Sequence, residues 1–141
     1  DYAHTPDALE TCIKDIKEQF KLRKINLVFG CGGDRDKPKR KIMGRIANKY
    51  CNKIYLTDDN PRNEDPKKIV AQIVKNMHLK NFDIIFDRKE AISEGLKKLK
   101  KLEQESVLLI AGKGHENFQI LKGKEIEFND LTILNELKDV I

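Results

Sequence analysis

Apolar residues recur along the chain with two alternating periods. Between residues 5 and 20, Leu9, Cys12, Ile13, Ile16 and Phe20 fall three or four apart, the spacing of one buried helical face. Thr5 supplies an N-cap and Pro6 suits the first helical position. INLVF at 25–29 is a short apolar run ending at Gly30, the pattern of a buried strand. Helical spacing returns at 39–50 through Ile42, Met43, Ile46 and Tyr50, and a second strand follows at 53–57. A helix opens at Pro66 behind the cap Asp65, with Ile69, Val70, Ile73, Val74 and Met77 inward. FDIIF at 82–86 is a third strand, 88–101 a further helix, and SVLLIA at 106–111 the most apolar strand. The segments 118–121 and 124–128 flank Lys122-Gly123, a hairpin turn. Asn129 or Asp130 then caps a last helix with Leu131, Leu134, Leu137 and Ile141 inward.

Strands alternating with helices predict an α/β fold: a Rossmann-like open, mostly parallel sheet with helices on both faces and an antiparallel hairpin at its edge. Such sheets bind ligands beyond the carboxyl ends of their strands. The loops that matter are therefore 30–38, 58–65, 87–88 and 112–117. At 141 residues the chain fits one domain with room for a core. There is no internal repeat, low-complexity tract or long linker.

Charge and cysteines narrow the picture. A formal net charge of +5 is spread among 23 acidic residues, and aromatics make up only 6%, so the composition does not point to nucleic acid. No apolar run approaches the ~20 residues of a membrane span. The first apolar stretch is broken by Asp15, Lys17 and Glu18, unlike a signal peptide. Cys12, Cys31 and Cys51 lie about twenty residues apart, which fits neither a metal motif nor a disulfide set. Free thiols suggest a cytoplasmic protein. The basic run Lys37, Lys39, Arg40, Lys41 reads either as a solvated first helical turn or as a place for phosphate or carboxylate.

The first strand-end loop, GCGGDRDKPKRK, is not a dinucleotide fingerprint, because Arg35 stands where a third glycine is needed, and no G-K-[ST] follows to make a Walker A loop. It is a glycine-rich turn with Asp34 and Arg35 at its tip, open to close backbone approach. The second, TDDNPRNED, puts Asp59, Asn60 and Arg62 within four residues, with Pro61 stiffening the turn. An arginine fork beside an acid suits a zwitterion. In the third, AGKGHEN, Gly112 and Gly114 give backbone access while Lys113, His115 and Glu116 can serve phosphate, proton or amine.

Together DYAHTPDAL at 1–9, FGCGGDRD at 29–36, TDDNPR at 57–62 and AGKGHE at 111–116 resemble the C-terminal third of the Mur ligases that act on UDP-N-acetylmuramoyl-L-Ala-D-Glu. Order and spacing match over nearly the whole chain. DNPR is the most specific element and is similar to the motif of members that select meso-diaminopimelate; members that select L-lysine lack this arginine. By that resemblance Arg35, Asp59, Asn60, Pro61, Arg62, Gly112 and Glu116 would bind diaminopimelate, while Asp1 and His4, in the hinge motif, would approach ATP. No catalytic group and no metal ligand is implied within the chain. ATP and Mg2+ would be bound mainly by a central domain, and the UDP-N-acetylmuramoyl-dipeptide by further domains, neither of them in residues 1–141. The resemblance implies a monomer with no membrane or nucleic-acid partner, and a fragment inactive alone. One departure is visible: Pro38 and Lys41 stand where the family often has a glycine and a proline.

Two other classes share parts of this pattern. A receiver domain has the same alternation and a lysine after a late strand, as Lys113 is. It would, however, place its acidic pair after the first strand, whereas Asp58-Asp59 follow the second. A plain nucleotide-binding module is the other, separable by ATP titration.

Overall fold

The computed structural model describes residues 3–21, 23–101 and 105–141. Its elements run α1 (Pro6–Gln19), β1 (Lys24–Phe29), α2 (Pro38–Tyr50), β2 (Lys53–Leu56), α3 (Pro66–Val74), β3 (Phe82–Ile84), α4 (Arg88–Lys101), β4 (Ser106–Ile110), β5 (Phe118–Leu121), β6 (Lys124–Glu127) and α5 (Asp130–Lys138). Strands β3-β2-β1-β4 form one parallel sheet in that order. The expected α/β architecture is thus present. The hairpin β5-β6 is a two-stranded antiparallel sheet of its own, joined to the loop after β2 by a β-bridge between Arg62 and Leu121, rather than extending the parallel sheet.

Alternation along β1 explains why both faces need cover. Ile25, Leu27 and Phe29 point to one side, with Leu9 and Ile13 of α1, Met43 and Ala47 of α2, and Ile69 and Ile73 of α3. Val28 points to the other, with Tyr55, and packs there against Ala91 and Ile92 of α4. Leu108 and Ile110 of β4 and Ile133, Leu134 and Leu137 of α5 close that second layer. The helix starts are fixed locally: Thr5, Asp65 and Asn129 accept from the backbone N–H of Ala8, Lys67 and Thr132. Pro38 sits at the first position of α2, where its missing N–H costs nothing, so the departure from the family pattern leaves that helix intact.

Three expectations change in detail. The third strand is three residues rather than five; it lies at the sheet edge with Ile84 exposed, pairing on one side only. Met77 lies beyond the end of α3 but still packs against the core. In α5, Leu131 is 58% exposed instead of inward. The helix is turned so that Asp130, Ile133, Leu134 and Leu137 face the protein, because Asp130 is held by a buried arginine.

Candidate functional site

The loops after β1, β2 and β4 converge on one cavity of about 390 Å3. Of the residues singled out above, His4, Arg35, Asp59, Asn60, Arg62 and Glu116 line it. Pro61 and Gly112 are buried and absent from its lining. Asp1 lies outside the described residues. Cys31, Met43, Phe118 and Ile120 supply apolar wall, and Lys39 adds a cation.

Two close backbone approaches shape this space. A Cβ on Gly33 would lie 1.8 Å from the Pro61 carbonyl oxygen, so the first loop can rest on the second only with glycine there. Gly112 has φ +112°, and a Cβ on it would lie 2.6 Å from Oδ2 of Asp59. That glycine therefore makes room for a carboxylate of the protein itself.

Arg62 adopts φ +55°, a left-handed conformation uncommon for a side chain of its size. Its N–H donates to the Ile120 carbonyl at 3.0 Å, tying the loop to the hairpin. Its Nη1 donates to the carbonyls of Gly33 at 2.9 Å and Asn60 at 3.3 Å. Gly32 lies between the two arginines, its would-be Cβ 2.9 Å from Nη1 of Arg62 and 3.6 Å from Cγ of Arg35. Arg35 is exposed, and its Nη1 donates to the neighbouring Asp34 carbonyl at 3.0 Å.

The acidic side is built differently. Lys113 is fully buried (0% exposed), its Nζ 2.9 Å from Asn60 Oδ1, 3.4 Å from Glu116 Oε2 and 3.9 Å from Asp59 Oδ1. Asn60 also accepts from the Ile120 N–H and donates to Glu116, so it orients that carboxylate. His4 stands 3.3 Å from the other Glu116 oxygen. Asp59 is buried, and its Oδ2 has no hydrogen-bond partner among the described residues. Burial pushes its carboxyl up from the ordinary value, opposed by Arg88 and Lys113. An incoming ammonium would relieve that cost.

No sequence pattern marks Arg88 or Gln119. Arg40 belongs to the basic run that reads either as a solvated first helical turn or as a place for phosphate or carboxylate; it is 1% exposed, lines the cavity and is bound to the protein's own acceptors. Its Nη1 reaches Glu64 Oε2 at 2.5 Å and Gln72 Oε1 at 2.9 Å, and its Nη2 the Gly32 carbonyl at 2.9 Å. Gln119 donates to the Asp58 and Asp59 carbonyls at 3.2 and 2.9 Å, strapping the hairpin across the second loop.

Asp58 is not among the residues lining the cavity. Burial first, and then Asp87, raise its carboxyl from 3.8 to about 6, with Arg88 opposing. A raised acid binds its proton more tightly when folded, so its charge costs stability increasingly as pH rises through the interval between those values. Asp58→Asn is expected to stabilise the fold at pH 7 by about 1–2 kcal/mol, with the gain vanishing below about pH 4. Urea unfolding across pH 4–7 checks this; a gain independent of pH would refute the assignment.

No cluster of three or more His, Cys, Asp or Glu able to hold a metal occurs among the described residues. No described helix is long and apolar enough to cross a membrane.

The chain is a parallel α/β domain with cations and acids grouped around a cavity at its strand ends. Residues 1–114 match the model of the Mur ligase glutamate ligase domain, and the chain belongs to that family. It is 49% identical over 139 residues to the UDP-N-acetylmuramoyl-L-alanyl-D-glutamate–2,6-diaminopimelate ligase of Rickettsia felis, covering 97% of this chain and 26% of that protein. A ligase of the same name in Clostridium acetobutylicum is 48% identical over 136 residues, with 96% and 27% covered. A solved structure of a ligase with that name superposes with TM-score 0.88 at 38% identity, over 99% of this chain and 28% of the other. A folylpolyglutamate synthase of Mycobacterium tuberculosis, 15% identical with TM-score 0.64, shares the fold. The chain thus spans little more than a quarter of the length of these ligases.

Proposed function

We propose that this chain is the C-terminal, amino-acid-binding domain of a cytoplasmic, ATP-dependent ligase that joins meso-diaminopimelate to UDP-N-acetylmuramoyl-L-Ala-D-Glu in peptidoglycan synthesis. The observation that carries the reading is the pairing, around one cavity, of Arg35 and Arg62 with Asp59 and Glu116. Diaminopimelate has two amino-acid centres. One amine must stay free to react, so the protein should grip the other centre by both its charges. Arg62, with Arg35 beside it, offers a fork to the carboxylate, and Asp59 and Glu116 offer acceptors to the ammonium. Asn60 and Lys113 hold Glu116 in place, and Pro61 and Gly112 shape the walls behind.

In the reaction the free amine attacks the D-Glu side-chain carbonyl, activated as an acyl phosphate. The C–N bond forms, the C–O bond to phosphate breaks, and the amine loses a proton. ATP supplies the phosphoryl group. ATP, Mg2+ and the UDP-linked dipeptide belong mainly to domains beyond these 141 residues, with Asp1 and His4 approaching the nucleotide when the domains close. The assembled enzyme is a monomer. Its chemistry is largely positioning at a closed interface.

Two measurements test this. The enzyme with its preceding domains should form product from diaminopimelate in strong preference to L-lysine, and the isolated 141 residues should form none. Equal use of lysine would overturn the substrate assignment, and turnover by the isolated chain would overturn the division of labour. Arg35→Ala should raise the KM for diaminopimelate by roughly tenfold to a hundredfold, the worth of one charge-assisted contact, and leave that for ATP nearly unchanged. An equal loss for ATP would reassign Arg35 to phosphate.

A further inference from the structure

We propose that Arg88, which does not touch the cavity, is a positioning residue that sets the spacing between the two halves of the amino-acid site. The inference builds on the proposed function but begins from a separate observation. Arg88 opens α4, is 1% exposed, and is not among the residues lining the cavity. Its Nε and Nη2 donate to the two carboxylate oxygens of Asp130 at 2.7 and 2.8 Å. Its Nη2 also donates to the Ala111 carbonyl at 3.1 Å, and its Nη1 to the Asp58 carbonyl at 3.2 Å.

Those two carbonyls belong to the residues just before Gly112 and Asp59. They stand at the ends of β4 and β2, which are not neighbours, since β1 lies between them. The paired register of β4 stops at Ile110 and that of β2 with β1 at Leu56. One further backbone bond on each side, from the Thr57 N–H to Phe29 and from the Ala111 N–H to Val28, still ties the chain to β1; past Thr57 and Ala111 the spacing of the Asp59 and Glu116 loops is left to side chains. The planar guanidinium spans that gap, and the bidentate grip of Asp130 holds its plane fixed.

The tolerance at this junction is small. Gly112 stands so close to Asp59 that a Cβ there would lie 2.6 Å from the carboxylate oxygen. Ligand groups bound by Asp59 on one loop and Glu116 on the other therefore depend on a distance that Arg88 sets from behind, at the strand ends, while Asn60 and Lys113 tie the loops at the cavity itself. Its charge also opposes the burial cost of ionising both Asp58 and Asp59. A lysine could keep the charge and one carbonyl but not the whole span.

The alternative is a buried ion pair that stabilises the fold and nothing more. Arg88→Lys in the complete enzyme separates the two, assayed at a temperature where circular dichroism shows the variant folded. The positioning role predicts a KM for the amino acid raised roughly tenfold or more, with the KM for ATP within about twofold. In the unliganded 141-residue chain, amide exchange at 59–60 and 112–116 should quicken by a similar factor while that of β1 stays slow. Should Arg88→Lys fail to fold, Asp130→Asn, which frees the guanidinium but leaves its carbonyl contacts, is expected to move both readouts the same way by a smaller factor. A lower melting temperature with unchanged KM and exchange, or equal shifts in both KM values, would overturn the inference. The KM is read on whichever amino acid the unmodified enzyme prefers, so a different substrate would correct the proposed function and leave this inference standing or falling on its own data.

Discussion

Replacing Arg62 by alanine is expected to lower kcat/KM for meso-diaminopimelate by roughly a hundredfold or more, while changing that for L-lysine by a few-fold at most. The two substrates differ by one carboxylate on the distal carbon. Arg62 lines the cavity, and its Nη1 is already committed to two backbone carbonyls, which fixes the plane of the fork. Its Nε and Nη2 make no hydrogen bond among the described residues, so one edge remains for a ligand carboxylate. Two charge-assisted bonds there contribute about 3 kcal/mol or more, which is the hundredfold. Backbone strain does not confuse the comparison, because alanine at φ +55° is no more comfortable than arginine. Lysine brings no distal carboxylate and leaves the fork unpaired in the unmodified enzyme, so it loses little from the change. The decisive measurement is kcat/KM for both amino acids in both enzymes. If their ratio is unchanged, Arg62 does not read the distal carboxylate.

The strand-end loops could be found in the sequence because their surroundings obey local rules. Alternating apolar residues fix the strands, and Thr5, Asp65 and Asn129 announce helix starts within three residues of the groups they cap. Once the strands are known, loop convergence follows from the parallel sheet. What holds the loops does not follow. Arg40 pairs with a residue 24 positions away and Arg88 with one 42 away, and no short-range pattern announces either.

A weaker signal did exist for each. Arg40, Met43 and Ala47 lie at helical spacing on one stripe, so the arginine sits on the buried face of α2 while Lys37 and Lys41 are exposed. In α5 the stripe 130, 133, 134, 137 competes with the apolar stripe 131, 134, 137, 141. The first wins because Asn129 takes the capping role and releases Asp130 to bind Arg88. In both helices a charged residue with a distant partner occupies a position that hydrophobicity alone assigns elsewhere. Gly112 is a related case: the residue reads as backbone access for a ligand, and its Cα instead faces the carboxylate of Asp59.

Removing the Arg40 side chain is expected to cost more stability than any other single change considered above. Arg40→Ala should destabilise the fold by about 3–5 kcal/mol at pH 7, since it leaves Glu64 and the Gly32 carbonyl without a buried partner. The same bonds hold the Glu64 carboxyl at about 2, chiefly through Arg40 and then through the Asp34 N–H, against an ordinary value of 4.5. A depressed acid stabilises the fold fully above its unfolded value, and that stabilisation is lost as pH falls toward the folded one. The difference between the unmodified chain and Arg40→Ala should therefore narrow between about pH 4.5 and pH 2, as the carboxylate that Arg40 serves takes up its proton. Arg40→Lys should recover little, because one ammonium cannot reach both Glu64 oxygens, Gln72 and the Gly32 carbonyl together. The double variant Arg40→Met, Glu64→Met should recover more than Arg40→Lys, since it removes both charges and refills the space. Urea unfolding at pH 7 and pH 3 measures all four chains. A loss below about 1 kcal/mol for Arg40→Ala, the size of a surface pair, would show that this network does not hold the first loop against the second.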